Sequence, residues 1–135
     1  MKKLAIIGSR SLEDEVEPLV LDWIQKNLNL AEISTFVSGG ASGADTFAER
    51  LAKQLNKEMI VFLPEYKKYS RKATMIRNEE IAKTADFCLA LVDKPLKTST
   101  GTNETVNKFK RLKKPVTVIR FKARDWYLDE VKELL

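Results

Sequence analysis

The sequence predicts an α/β protein built on a parallel sheet, and two observations carry this prediction. Short apolar runs alternate along the chain with segments whose apolar residues recur at helical spacing. The first run, Leu4-Ala5-Ile6-Ile7, is continuous, which is typical of a strand buried on both faces of a parallel sheet. Parallel strands are joined by right-handed crossovers, so the pattern predicts a three-layer sandwich with helices on both faces of the sheet.

Five strands and five helices are predicted in order. The strands cover 3–8, 35–37, 59–63, 87–92 and 116–119, and the helices cover 14–28, 42–56, 73–84, 102–113 and 126–135. Ser11 and Asp14 are expected to form a capping box at the first helix, with Pro18 in its first turns. Residues 65–72 and 93–100 are predicted loops. The sequence therefore predicts a Rossmann-like domain with the usual strand order 3-2-1-4-5.

Composition limits both the class of protein and its chemistry. The 135 residues are 44% hydrophobic and 32% charged, which predicts one globular domain over residues 1–135. The sequence contains no histidine, so histidine-based catalysis and nearly all zinc sites are excluded. The lone Cys88 lies in an apolar run and is expected in the core. No apolar stretch approaches the ~20 residues of a transmembrane helix, so a cytoplasmic location is predicted.

Positive charge is concentrated in the second half of the chain. Residues 1–67 carry eight Lys and Arg against ten Asp and Glu, whereas residues 68–135 carry sixteen against nine. Much of this excess comes from one basic cluster: Lys108, Lys110, Arg111, Lys113, Lys114, Arg120, Lys122 and Arg124. Two interpretations stay open, a surface that binds polyanions and side chains that only solvate the ends of helices and strands.

The loops after the first, second and fourth strands predict a binding site for an anion. The carboxyl ends of parallel strands meet at one edge, where ligands bind in this kind of sheet. The first loop offers a glycine, a hydroxyl and a guanidinium, and the other two combine glycines with hydroxyls at helix starts, where free backbone amides attract anions. The residues of these loops are Gly8, Ser9 and Arg10, then Ser38, Gly39, Gly40, Ala41, Ser42, Gly43 and Asp45, then Ser99, Thr100, Gly101 and Thr102.

Alternatives stay open for the loop after the second strand and for the helix that follows the third strand. Ser42 and Asp45 also fit a capping box, and Asp45 is expected either to cap the helix or to accept a hydrogen bond from a ribose hydroxyl. Arg77 and Asn78 either reach the same opening or are solvated. Tyr66 and Tyr69 are expected either to stack on a base or to pack against their own domain.

These segments together resemble the SLOG superfamily, which groups the Smf/DprA and LOG (Lonely Guy) Rossmann-like proteins. The resemblance spans nearly the whole chain, and its most specific part is the segment from Ser38 to Asp45. The pattern is most similar to the small YspA-like branch of unknown function. The resemblance implies a domain that binds nucleotides or nucleotide derivatives, with phosphate held by the two glycine loops, and often a dimer.

The fourth-strand loop departs from the LOG pattern. LOG enzymes are phosphoribohydrolases that cleave the N-glycosidic bond of nucleoside monophosphates with a Pro-Gly-Gly-x-Gly-Thr-x-x-Glu loop. Here Thr105 stands where that motif has its glutamate, and Glu104 lies one position early. On a helix that displacement is a rotation of ~100°, so we expect Glu104 to be turned away from the site.

The favoured hypothesis is therefore binding or sensing of a nucleotide or nucleotide derivative at the glycine-rich loops. One alternative is a LOG-like hydrolase that uses Glu104 or Asp45 as its acidic residue and Arg77 or Arg10 as its electrostatic stabiliser. A further alternative is DprA-like binding of single-stranded nucleic acid on the basic surface. No cofactor or metal site is predicted apart from Mg²⁺ held through a bound phosphate, and the expected partners are a nucleotide-derived small molecule and a second copy, in a homodimer or higher homo-oligomer, with no membrane.

Overall fold

The computed structural model describes residues 1–122 and 124–134 and places one six-stranded sheet between two layers of helices. The strands are β1 (Lys2–Gly8), β2 (Ile33–Ser38), β3 (Glu58–Val61), β4 (Phe87–Val92), β5 (Val116–Lys122) and β6 (Tyr127–Leu134). The helices are α1 (Glu17–Asn27), α2 (Ala44–Gln54), the short α3 (Tyr66–Tyr69), α4 (Ala73–Thr84) and α5 (Thr100–Arg111).

The strand order is β3-β2-β1-β4-β5-β6. All neighbouring pairs among the first five strands are parallel, which confirms the predicted order and the α/β three-layer class. The order reverses between β1 and β4, so a crevice forms beyond their carboxyl ends.

Alternate residues of β1 pack against helices on opposite faces of the sheet, as the two-residue period of a strand requires. Leu4 and Ile6 lie in one core with Phe47 of α2 and the buried face of α1. Ala5 and Ile7 lie in a second core with apolar residues of α4 and α5. Because both faces are covered, β1 is fully apolar from Leu4 to Ile7, which explains the continuous run in the sequence.

The last segment is a strand, and the predicted helix over 126–135 is wrong for the residues that are described. β6 runs antiparallel to β5, with Tyr127 opposite Lys122. Arg124 and Trp126 have φ angles of 79° and 46°, so the chain reverses within a few residues and returns along the open edge of β5. Residue 135 of that predicted helix lies outside the described residues.

The first helix begins later than predicted, and its predicted cap does not form. A 3₁₀ turn over Asp14–Val16 precedes α1, and no side chain caps either element. The Ser11 hydroxyl instead donates to the Asp93 carboxylate after β4. Pro18 lies in the first turn of α1, as predicted. The predicted loop over 65–72 contains α3 and a 3₁₀ turn.

Candidate functional site

A cavity of about 530 Å³ opens at the carboxyl ends of β1, β2 and β4, and its size is in the range of small-molecule sites. Twelve of the sixteen predicted binding residues line it: Gly8, Ser9, Arg10, Gly39, Ala41, Asp45, Arg77, Asn78, Ser99, Thr100, Gly101 and Thr102. Ser38, Gly40, Ser42 and Gly43 do not line it. The cavity thus collects residues from three loops and α4 that are far apart in the sequence.

The loop after β1 forms the floor of the cavity. A side chain at Gly8 would overlap the Leu91 carbonyl of β4, so only glycine lets the two strands end side by side here. The next amide, Ser9 N, donates to Leu91 O at 2.9 Å. The hydroxyl of Ser9 is buried without a hydrogen-bond partner, while Arg10 is exposed. The floor therefore holds an unused polar group beside a free guanidinium.

The loop after β2 supports the wall without exposing most of its residues to the cavity. Gly43 is the residue before α2, and its φ of 72° favours glycine. A Cβ at Gly43 would overlap the Ser9 carbonyl, and Ala44 N lies 3.5 Å from the same carbonyl oxygen. The first amide of α2 thus faces the β1 loop and not the cavity. The Ser42 side chain caps nothing, so the predicted Ser42–Asp45 capping box is wrong.

Asp45 is buried in the wall, at 7% exposed. Its Oδ2 accepts a hydrogen bond from Ala41 N at 3.0 Å, which fixes the loop before α2. Its Oδ1 is buried without a partner. Burial raises the pKa of the Asp45 carboxyl, although the backbone amides of Ala41 and Gly39 and the positive charges of Arg77 and Arg10 act in the opposite direction. One carboxylate oxygen therefore accepts a hydrogen bond from the backbone, and the other has no hydrogen-bond partner.

Arg77 and Asn78 of α4 belong to the cavity wall, and the interpretation that they are solvated is wrong. Arg77 Nη1 donates to Gly39 O at 2.5 Å, and its Nε donates to Asn78 Oδ1 at 2.8 Å. Asn78 is 7% exposed. Arg77 thus ties the β2 loop to α4 across 38 residues of sequence.

The start of α5 forms the opposite wall. Ser99 precedes the helix without a side-chain cap bond, and Thr100, Gly101 and Thr102 form its first residues. The first amides of a helix have no partner inside the helix and carry partial positive charge. A Cβ at Gly101 would meet nothing within 4 Å. Packing therefore does not require glycine at this position.

Glu104 lines the cavity, so the expectation that helix rotation turns it away is wrong. The first turn of α5 meets the cavity end-on, and residues on several sides of that turn reach the opening. Glu104 Oε1 lies 3.8 Å from Lys108 Nζ. Thr105, which replaces the LOG glutamate, also lines the cavity and donates to Gly101 O at 3.1 Å.

Sequence reasoning missed six further residues of the wall: Ile7, Ser11, Thr74, Ile81, Lys94 and Thr105. Lys94 carried a usable signal, because it is exposed and lies two residues after the end of β4. Ile7 and Ile81 also belong to the core, and nothing in their spacing distinguishes them from other core residues.

The basic cluster is not one uniform surface. Lys114 Nζ donates to the carbonyl of Ala82 at 2.7 Å and lies 3.1 Å from that of Lys83, so it satisfies the end of α4. Lys108 is 8% exposed, and Arg120 Nε lies 4.0 Å from an Asp129 carboxylate oxygen. Three of the eight residues thus have partners within the fold.

A second basic segment lies beside the cavity. Residues 66–72 contain four Lys and Arg, and all four are exposed. Tyr66 is 57% exposed, whereas Tyr69 is partly buried and lines a neighbouring cavity of about 400 Å³ that also includes Arg77. The two tyrosines therefore differ, and only Tyr66 presents its ring freely.

The described residues contain no group of three or more Cys, Asp or Glu side chains that could hold a metal. Cys88 is buried, as predicted, and burial raises the pKa of its thiol. Within the described part of the chain, none of the helices has the length and apolar character that crossing a membrane requires.

The sheet order and the cavity at its switch point define a Rossmann-like α/β protein. The family model for DNA recombination-mediator protein A matches residues 1–100. The chain therefore belongs to the DNA recombination-mediator protein A family, and with it to the SLOG superfamily that the sequence resembles. The narrower placement in the YspA-like branch stays a prediction.

Two known proteins are similar over most of the chain. Gene 61 protein of Mycobacterium phage D29 is 32% identical over an alignment of 123 residues, and the match covers 86% of this chain and 94% of the phage protein. The X-ray structure of DNA processing protein A (DprA) from Streptococcus pneumoniae matches with a TM-score of 0.68 and 20% identity. That match covers 93% of this chain and 52% of the pneumococcal chain, so this chain spans about half the length of that protein. At this identity the match establishes a DprA-like fold.

Proposed function

We propose that the cavity binds a nucleotide or nucleotide derivative. The observation that supports this most directly is the cavity wall itself. It combines the free amide end of α5 with three buried oxygens that have no hydrogen-bond partner, Ser9 Oγ, Asp45 Oδ1 and Glu104 Oε1. Buried polar atoms normally have partners, and a bound polar ligand would supply them. The exposed guanidinium of Arg10 adds positive charge at the opening.

In this proposal the phosphate lies over the start of α5. The hydroxyls of Thr100 and Thr102, the amide of Gly101 and the guanidinium of Arg10 would hold it. The loop before α2 is less suited to this role than the sequence predicts, because the Ala41 amide is already bound by Asp45. A nearby carboxylate would also repel a phosphate placed there. The second glycine loop therefore positions the site, and the fourth-strand loop binds the anion.

The test is a thermal-shift screen with nucleoside mono-, di- and triphosphates, ADP-ribose and cyclic nucleotides, followed by chromatography of each incubated ligand. A ligand that binds only the folded state raises the melting temperature, by a free energy of about 2.7 kcal/mol at a hundred times its Kd. The Arg10→Ala variant should lower the shift, and Lys53→Ala, at an exposed position on α2, should not. If none of these compounds raises the melting temperature, the proposal is contradicted.

Chromatography separates binding from turnover. A ligand recovered intact supports a binding or sensing protein, whereas release of free base supports the LOG-like hydrolase with Glu104 as the acidic group. Glu104→Gln should then abolish release and leave the thermal shift in place.

A second candidate function, binding of single-stranded nucleic acid, is favoured by membership of the family. The exposed basic residues and Tyr66 of segment 66–72 lie next to the cavity and would supply phosphate contacts and a stacking surface. Fluorescence anisotropy with a labelled oligothymidylate should detect binding that weakens strongly between about 50 and 200 mM salt.

Two pairs of charge reversals would locate that surface. Lys67→Glu with Lys68→Glu should reduce oligothymidylate affinity if segment 66–72 binds the strand. Lys110→Glu with Arg111→Glu should reduce it if the basic cluster does. Unchanged affinity in both would remove this candidate.

Association of two copies is also proposed. β6 is an uncovered edge strand with Tyr127, Leu128 and Val131 exposed, and such edges readily pair with another chain. Light scattering should give a mass near twice 15.4 kDa, and a monomer mass across the concentration range would contradict the expectation.

A further inference from the structure

We infer that Asp45 and Asn78 recognise a free sugar hydroxyl, so that the cavity takes ribonucleotides in preference to deoxyribonucleotides. This inference rests on the proposed function and specifies the class of ligand. It begins from Asp45, a nine-tenths buried side chain on the cavity wall whose Oδ1 has no partner. An unpaired carboxylate oxygen in such a place requires a hydrogen-bond donor.

Two groups near Asp45 already donate hydrogen bonds to other acceptors or to its second oxygen. Arg77 uses its Nη1 on Gly39 O and its Nε on Asn78 Oδ1. Ala41 N is bound to the other oxygen of Asp45. No ion pair within 4.0 Å joins Asp45 to a lysine or arginine among residues 1–122 and 124–134. None of the hydrogen bonds found among these residues reaches Oδ1, and a donor on a bound ligand would satisfy it.

The part of the ligand at Asp45 is not expected to be the phosphate. A phosphate is repelled by the carboxylate and is better held at the start of α5 on the other wall. A nucleotide then presents its sugar or its base to Asp45, and both contain donors.

Asn78 favours the sugar. Its Oδ1 accepts from Arg77, which leaves the amide NH₂ as a donor on the same wall of the cavity. The wall thus offers an acceptor on Asp45 and a donor on Asn78. Ribose hydroxyls both donate and accept hydrogen bonds, so they match this pair of groups.

The experiment measures the Kd of AMP, UMP, 2′-deoxyAMP and 3′-deoxyAMP by isothermal titration calorimetry. We expect loss of at least one sugar hydroxyl to weaken binding by about ten-fold or more, because a site built to bind a hydroxyl is left with unpaired groups when it is missing. AMP and UMP should bind with similar affinity, since the contact is to the sugar.

The variant Asp45→Asn tests the role of Asp45 Oδ1. The asparagine oxygen can still accept a hydrogen bond from Ala41 N, while its NH₂ replaces Oδ1 with a donor. It should bring the affinities of AMP and the deoxynucleotides close together. Asp22→Asn, at an exposed position on α1, is the matched control and should keep the difference. Circular dichroism melting of both variants verifies that they are folded.

The outcomes distinguish failure of the sugar preference from failure of the proposed nucleotide binding. Equal affinity of the unmodified protein for AMP and both deoxynucleotides overturns the inference and leaves the proposed function intact. So does a preference set by the base, with UMP much weaker than AMP, or a sugar preference that persists in Asp45→Asn. If no nucleotide binds at all, the proposed function and the inference both fail.

Discussion

Replacement of Gly101 by alanine should stabilise the fold and weaken ligand binding. Gly101 lies in the first turn of α5, and a Cβ there would meet nothing within 4 Å. Alanine is better than glycine in a helix by roughly 0.5–1 kcal/mol, because glycine loses more backbone entropy on folding. For a chain of 135 residues this corresponds to a rise of about 2–4 °C in melting temperature.

The same added atoms occupy the space in which the phosphate is proposed to lie. Gly101→Ala should reduce AMP affinity several-fold, and Gly101→Leu, with a longer side chain over the amides, should reduce it by about ten-fold or more. Differential scanning fluorimetry with and without AMP measures both effects in one assay.

Gly43→Ala is the matched control, because the structure predicts the opposite sign for stability. Its backbone has a φ of 72°, and a Cβ there would overlap the Ser9 carbonyl. We expect the free energy of unfolding to fall by about 1–3 kcal/mol, the usual effect of overpacking. The reasoning about open space is refuted if Gly101→Leu melts well below the unmodified protein. The placement of the phosphate is refuted if that variant binds AMP with unchanged affinity.

Three further predictions concern stability. Burial raises the pKa of Asp45, so folding favours its protonated form and the stability falls as pH rises above its unfolded pKa of about 3.9. Asp45→Asn should therefore raise the melting temperature near pH 7 and change it little at about pH 4; equal effects at both would contradict this. Arg77→Ala should lower the free energy of unfolding by about 1–3 kcal/mol through loss of its loop and α4 contacts, measured by urea denaturation, whereas exposed Arg71→Ala should not. Lys114→Ala should cost about 1–2 kcal/mol in the same assay because the last carbonyls of α4 lose their donor, and an equal loss in exposed Lys110→Ala would argue against that role.

The buried parts of the fold were predictable because burial on both faces leaves a plain pattern. β4 and α4 begin and end where the sequence places them. β6 was not predictable by the same means, since seven of its eight residues are exposed and their apolar spacing suits a helix. There the pairing with the open edge of β5 decides the structure, and that edge is a tertiary feature.

The site was predictable at the level of loops and not of contacts. Loop position follows from strand order, so residues such as Ser9 and Thr100 could be assigned to one cleft. The bond from Arg77 to the Gly39 carbonyl joins positions 38 residues apart, and no local pattern encodes it. Likewise, nothing in the spacing of the basic cluster separates Lys114, which ends α4, from Lys110, which is exposed.

The close approach of Gly43 to the Ser9 carbonyl affects the free energy that ligand binding uses to order the protein. The beginning of α2 packs closely against the end of β1, with Ala44 N 3.5 Å from Ser9 O, while Arg77 donates to the intervening loop from the other side. Two of the three loops around the cavity thus have contacts within the protein that fix their positions. Ligand binding would therefore require little ordering of the protein. A few polar contacts can then give useful affinity.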